Sequence, residues 1–333
     1  MTPRRPPPTS SPDAPAADPG GDVVALARRI REDRALGEIY THYVHTAILH
    51  SADGDHHGRE GIVRHALRTL AAVPDVRLHG DELVCGAAPG GMHTSHRVLV
   101  SGHHLGPAAF GPPTGRRVHW QEITQRTVVG GRVVEEWRVH DDLAVVRQLG
   151  LDAWALARTA AHAEAAAGPA APAPGVGEVV RGRGQAAPPT APGVPTEARD
   201  LPAVLAQDVW NARRLDLVRT VYAPDAVVRV PGGRLGGPDG LARHVLAWLA
   251  AFPDGAMHVD HVLAAPGPAA TVAVRWTFQG THTGDGRYGP PTGRRVRVPG
   301  ISHLRVAAGR VQREDTVWND FVLLTQLCRP AGR

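Results

Sequence analysis

Lysine is absent: all 37 basic residues of this 333-residue chain are arginine. That excludes every mechanism needing a lysine amine, including Schiff-base aldol chemistry, pyridoxal chemistry and the lysine-bearing phosphate loop. Cysteine is nearly absent too. Cys85 and Cys328 are too few for a disulfide framework and lack metal-ligand spacing, so a reducing, cytoplasmic setting is expected. No run reaches the roughly 18 apolar residues of a membrane span, so no membrane partner is expected. Aromatic residues make up only 5%, and the arginines are scattered rather than laid in a stripe with stacking side chains. The net charge of +5 therefore does not argue for a nucleic-acid partner. The opening MTPRRPPPTSSPDAPAADPGG lacks the apolar stretch of a secretory signal, and residues 1–21 are expected to form a disordered tail.

What is present is enough apolar residue, 42%, for sizeable cores in a chain about twice the commonest domain size. The chain repeats itself. Gly111–Val118 and Gly289–Val296 both read GPPTGRRV at an offset of 178, and the same offset superposes Arg97 on Arg275, His104 on His282 and Gln148-Leu149 on Gln326-Leu327. At an offset of 179, Gly61–His65 falls on Gly240–His244 and Pro74-Asp75 on Pro253-Asp254. Two long repeats make a tandem duplication rather than a solenoid. The expected division is a first domain at 22–163, a Pro/Ala/Gly linker at 164–197 and a second domain at 198–329.

In each repeat, helical spacing of apolar residues comes first: Val23–Tyr43 and Gly58–Val73, then Leu201–Tyr222 and Gly237–Phe252. Segments rich in Val, Ile, Thr and Trp follow, at His96–Ser101, Val118–Val129 and Arg132–His140 and at Thr271–Gln279, Val296–Ala307 and Arg310–Trp318, with glycine turns between them. Helices followed by an antiparallel meander predict an α+β fold and not a βαβ nucleotide fold. The Gly-Pro-Pro-Thr-Gly segment reads as a tight turn.

Several motifs carry a resemblance. They are Phe252-Pro253-Asp254, with Val73-Pro74-Asp75 as its counterpart, the Arg275–Gly284 run RWTFQGTHTG, the Pro-Thr-Gly turns, and Glu136-Trp137 leading to Gln148-Leu149-Gly150. On these residues each repeat resembles the SnoaL-like polyketide cyclase and ester cyclase family, within the NTF2-like superfamily. The resemblance implies two tandem cone domains, each with helices packed on a strongly curved antiparallel sheet, mimicking within one chain the homodimer such domains usually form. It also implies a cofactor-free enzyme acting on a small carbonyl-containing metabolite, with a carboxylate in the cone as general acid and base.

The resemblance puts that carboxylate about seven residues before the Gln-Leu pair, which is Asp141 in the first repeat; the second has Asn319 there, followed by Asp320, the partner of Asp142. The first repeat is therefore the expected working half. Arg97 and His104, with Arg275 and His282 as their counterparts, are expected to face the cavity and polarise an enolate oxygen. Buried salt bridges for the arginines and a helix N-cap for Asp141 are the structural alternatives. Tyr43, His96, Trp120 and Trp137 in the first repeat, and Trp276, His303 and Trp318 in the second, are candidate substrate contacts. His65 and His244 read as exposed or capping. No metal is expected, because the paired histidines lack Cys or Glu partners at ligand spacing, although a site built from distant strands stays open. The rival readings are a ligand-binding protein without chemistry and an epoxide hydrolase in which Asp141, Arg97 and Asp142 hold a water.

Overall fold

The structure is a computed structural model and describes residues 19–166, 197–265 and 270–330. Nearly all of the expected tail and linker lies outside these residues; helices occupy the last residues of the former and the first of the latter.

The first repeat runs α1 (Pro19–Arg31), α2 (Glu38–His42), β1 (Tyr43–Ser51), β2 (Gly54–His57), α3 (Gly58–Ala72), β3 (Arg77–Ala88), β4 (Gly91–His103), β5 (Arg117–Val129), β6 (Arg132–His140), α4 (Asp142–Gln148) and α5 (Ala153–Ala166). The second runs α6 (Leu201–Val204), which continues as a π-helical turn over Leu205–Asn211, then α7 (Val218–Val221), β7 (Tyr222–Val230), β8 (Gly233–Leu235), α8 (Gly237–Ala251), β9 (Ala256–Ala265), β10 (Ala270–Thr281), β11 (Arg295–Ala307), β12 (Arg310–Trp318) and α9 (Asp320–Cys328). Each forms one six-stranded sheet, in the orders β2-β1-β6-β5-β4-β3 and β8-β7-β12-β11-β10-β9. The meander is antiparallel as predicted. The first long strand of each repeat instead joins the last in parallel, β1 on β6 and β7 on β12.

Two predicted helices are shorter than their apolar spacing suggests. Arg34 and Arg213 adopt φ of 60° and 59°, which breaks the chain into a short second helix and then a strand. Each guanidinium then fastens the break: Arg34 Nη2 donates to Pro74 O at 2.6 Å and Arg213 Nη2 to Pro253 O at 2.9 Å. The shared motifs are likewise backbone clamps. Asp75 accepts from His103 N at 2.8 Å, and Asp254 from Thr281 N at 2.6 Å. Gln148 bridges both backbone groups of His119, and Gln326 those of Arg297. His104 O receives Thr114 N and Gly115 N, closing the Pro-Thr-Gly turn.

The two sheets face each other. Ile123 and Val139 of the first pack on their counterparts Ile301 and Val317 of the second. Val84 meets Leu263 and Ala273, while α5 and α4 deliver Ala157, Leu143 and Val146 into the core around Trp248 and Phe321. Polar contacts surround this centre: Ser95 Oγ lies 2.8 Å from His303 Nε2, and Arg305 reaches Glu82 at 3.3 Å. Period-two alternation does the sorting, since one face of β4, β6 and β12 is committed to the partner sheet and the other to its own helices.

A close backbone approach locks α8 to the loop after β10. A Cβ at Gly284 would lie 1.7 Å from Ala250 O, and its counterpart at Gly106 would lie 1.9 Å from Ala71 O. Gly284→Ala is expected to lower the unfolding free energy in urea titrations by about 1–3 kcal/mol, the usual cost of overpacking. Gly37→Ala, where nothing lies within 4 Å, serves as the near-neutral control.

Candidate active site

The interiors of the two cones are chemically opposite. In the first, Arg31 Nη1 donates to Glu122 at 2.5 Å, Arg126 Nε to Glu136 at 2.8 Å, Arg138 Nη2 to Glu136 at 2.6 Å, and Tyr43 Oη to Glu136 at 2.6 Å. Burial alone would push these carboxyls up, but the guanidiniums outweigh it and hold Glu136 near 2 and Glu122 well below the usual carboxylate range. Only a small pocket remains, bordered by Arg31, Tyr43, His65, Arg126 and Arg138.

Every cation of that network is replaced in the second cone. Trp210 stands for Arg31, Leu304 for Arg126 and Thr316 for Arg138, while Tyr222 and Glu314 repeat Tyr43 and Glu136. Gly300 replaces Glu122, and the space it frees admits the indole of Trp276, whose ring atoms lie within 2.6 Å of where a Cβ at Gly300 would stand. The result is an apolar pocket walled by Trp210, Trp248, Trp276 and Trp318, with Tyr222, His244, Ser302, Glu314 and Thr316 as its polar members.

Glu314 is buried, and among the described residues no cation lies against it. It accepts from Tyr222 Oη at 2.5 Å and Thr316 Oγ1 at 2.6 Å, yet burial exceeds these bonds and raises its pKa. His244 moves the other way, to about 4, chiefly through burial and then through Arg287. Trp276 donates its indole N–H to Ser302 Oγ at 3.0 Å and Trp318 to Asp320 at 2.8 Å. The buried N–H of Trp248 has no acceptor among the described residues.

The predicted site residues are spread over the two cavities, the strand interiors, the seam between the sheets and the Pro-Thr-Gly turns. Tyr43 borders the first cavity, and Trp276 and Trp318 border the second. Trp120 is buried beside Val98 and Val100, and His96, also buried, pairs in register with Thr124 of β5. Arg97, expected inside the cone, lies on the opposite face of β4 and binds Glu82 at 2.7 Å and Asp315 at 3.7 Å. Its counterpart Arg275 stacks 3.5 Å over Trp137, and His303 sits between Ser95 and Glu82. Strand alternation puts all four in the seam between the sheets. His104 and His282 lie at the Pro-Thr-Gly turns, with Nδ1 beside Thr114 Oγ1 and Thr292 Oγ1.

The carboxylates near the ends of β6 and β12 also gather at the seam. Asn319 donates to Asp142 Oδ2 at 2.7 Å, so the symmetry mate of that bond would join Asp141 to Asp320. There, two acids meet. Asp141 caps α4 by accepting from Ala144 N at 3.1 Å, and burial, then the Asp320 and Asp142 charges, raise it to about 6. Asp320 is held by Arg287 at 2.5 Å and Tyr288 at 3.0 Å.

The sequence model of the SnoaL-like polyketide cyclase family matches residues 22–149 and 203–327. The chain belongs to this family, in two copies. No curated protein matches it. Among solved structures, the chain is similar to wild-type IdmH of Streptomyces antibioticus, with 24% identity over 40% of this chain and all of that one and a TM-score of 0.35. AclR of Streptomyces galilaeus gives 25% over 39% and 97%, with a TM-score of 0.34. A SnoaL-like polyketide cyclase of Agrobacterium tumefaciens gives 21% over 39% and 96%, with a TM-score of 0.33.

In this SnoaL-like pair, sequence reasoning passed over His244 and Glu314. His244 was expected exposed or capping, yet it borders the second cavity; His65, its counterpart, is buried and borders the first. The signal was available in the register of the repeats, where tryptophan and leucine replace arginine around an unchanged glutamate. Asp141 yields a stability test. Its folded pKa lies above its ordinary value, so the penalty for ionising it appears as pH rises from about 4 through 6 and reaches about 3 kcal/mol at most. Asp141→Asn keeps the cap and can donate to Asp320. It is expected to be more stable than the parent in urea at pH 7.5, with the difference gone at pH 4; equal stabilities at both pH values would remove the like-charge account.

Proposed function

We propose that the second cone is the working site, a cofactor-free cyclase or isomerase pocket in which Glu314 transfers the proton. The observation that carries this reading is a carboxyl group kept in an aromatic cavity after all its neutralising arginines have gone. A carboxyl raised by burial is a stronger base than one held by guanidiniums, and its pKa moves toward the operating pH.

The chemistry follows from what borders the cavity. The substrate class is a small, flat, apolar metabolite with a carbon acid flanked by carbonyls, because indole faces offer stacking area and few polar groups. Ionised Glu314 takes the proton from carbon, leaving an enolate. The buried N–H of Trp248, which has no acceptor among the described residues, donates to the developing oxyanion. The enolate carbon attacks a second carbonyl of the same molecule, and the protonated Glu314 returns its proton to the new alkoxide. In an isomerisation the proton returns to carbon instead. Neutral His244 accepts a hydrogen bond from a substrate hydroxyl. The first cone, by this account, is a structural partner whose ion pairs occupy the space a substrate would need.

The test is deuterium exchange at the acidic carbon of a bicyclic aryl β-keto ester, followed by proton magnetic resonance, alongside quenching of tryptophan fluorescence. The parent is expected to accelerate exchange, Glu314→Gln to lose about 10²-fold or more while still binding the probe, and Asp141→Asn to keep the parent rate. Loss of exchange in Asp141→Asn with Glu314→Gln unchanged would move the base to the seam. Quenching without any exchange would leave a ligand-binding protein.

A further inference from the structure

The hairpin between β1 and β2 carries a cluster that the proposed chemistry does not use. Asp53 Oδ1 lies 3.0 Å from His56 Nε2 and 3.5 Å from His65 Nδ1. Among the described residues this is the one group of three or more His, Cys, Asp or Glu whose ligand atoms converge within 4.8 Å. The two imidazoles, from β2 and from the second turn of α3, lie 4.5 Å apart between centroids. The Ser51 hydroxyl, bonded to the Asp53 carboxylate, is 3.0 Å from His56 Nε2. Arg68 takes the other carboxylate oxygen, Oδ2, at 2.6 Å.

We propose that Asp53, His56 and His65 form a binding site for a divalent transition metal of the zinc type on the wall of the first cone. Two nitrogens and one oxygen at roughly 2.0–2.1 Å from a tetrahedral metal stand about 3.4 Å apart; the two separations from Asp53 bracket that value, and all three ligand atoms lie within 4.8 Å of one another. Other histidines near carboxylates do not offer this. Both ring nitrogens of His50, for example, are taken by separate acids, Asp55 at 2.8 Å and Glu135 at 3.0 Å.

A second observation is that the set belongs to one repeat. The counterparts of Asp53, His56 and His65 are Gly232, Leu235 and His244, so two of the three ligands have no equivalent where the cavity is apolar. Access and support are also present. Asp53 is about half exposed, giving an entry path, while His65 is buried and its ring is fixed by the helix. Arg68 holds the carboxylate with the free oxygen toward the imidazoles, and its exposed side chain can swing out if the metal takes both oxygens. Three protein ligands leave a fourth position for water, the pattern of an open rather than a closed structural zinc site. Ser51 is then an outer-sphere donor to the carboxylate.

The experiment uses untagged full-length protein stripped with a chelator. Zinc is titrated by calorimetry, and cobalt by its visible absorption as a geometry-sensitive probe. One equivalent of each is expected to bind, cobalt with the intense bands of a tetrahedral site. Asp53→Asn and His56→Ala, both away from the core, should each weaken binding by about 10-fold or more, with His50→Ala unchanged. His65→Ala tests the third ligand, its fold checked by circular dichroism. The proposal is overturned by an absence of saturable binding up to about millimolar metal, or by one-equivalent binding that survives in the Asp53→Asn/His56→Ala double variant.

Discussion

A carboxyl group buried at the same point in two cones is the constraint from which the rest of this molecule follows. Glu136 and Glu314 occupy matching positions on β6 and β12, each bonded to a tyrosine from the adjoining parallel strand. A buried carboxylate costs several kcal/mol unless it is neutralised, hydrogen-bonded or protonated. The first cone neutralises it with Arg126 and Arg138, and those guanidiniums in turn require the volume and the companion acid Glu122 that fill the interior. The second cone leaves it unneutralised, so its proton affinity rises and the surrounding volume passes to indole rings. Membership in the SnoaL-like polyketide cyclase family supplies the cone; the counter-charge decides what each cone holds.

The seam between the sheets obeys a different rule. Its polar pairs are related by the repeat but are not alike: Arg97 meets Asp315, whereas Arg275 meets Trp137. Asn319 meets Asp142, whereas Asp141 meets Asp320. The apolar centre of Ile123, Val139, Ile301 and Val317 is the part that keeps the symmetry. The packed centre therefore keeps the twofold relation, while the charges around it do not.

Much of the fold was legible because duplicated clamps recur at a fixed offset. Asp75 and Asp254, Gln148 and Gln326, and the Pro-Thr-Gly turns are tied to local backbone geometry, so their spacing survives in sequence. The strands Tyr43–Ser51 and Arg77–Ala88 were not recognised, since the first follows a helix with no glycine turn between them and the second changes register between His79 and Glu82. The site was harder still. Whether Arg97 or Trp137 points into the cone depends on which face of a strand the partner sheet covers, a long-range fact that neither spacing nor residue type carries. Asp53 escaped notice for a similar reason, because a turn and a helix bring it to His65 across twelve residues.

The unlike pairs at the seam bear on how such a chain can change. Were the two halves separate copies of one polypeptide, any substitution on the twofold axis would appear on both sides at once, and an arginine opposite tryptophan would have to be tolerated twice. Joined in one chain, each side is inherited as its own locus. The first cone can keep its guanidiniums as ballast for the assembly while the second exchanges them for indoles, a division of labour closed to identical subunits.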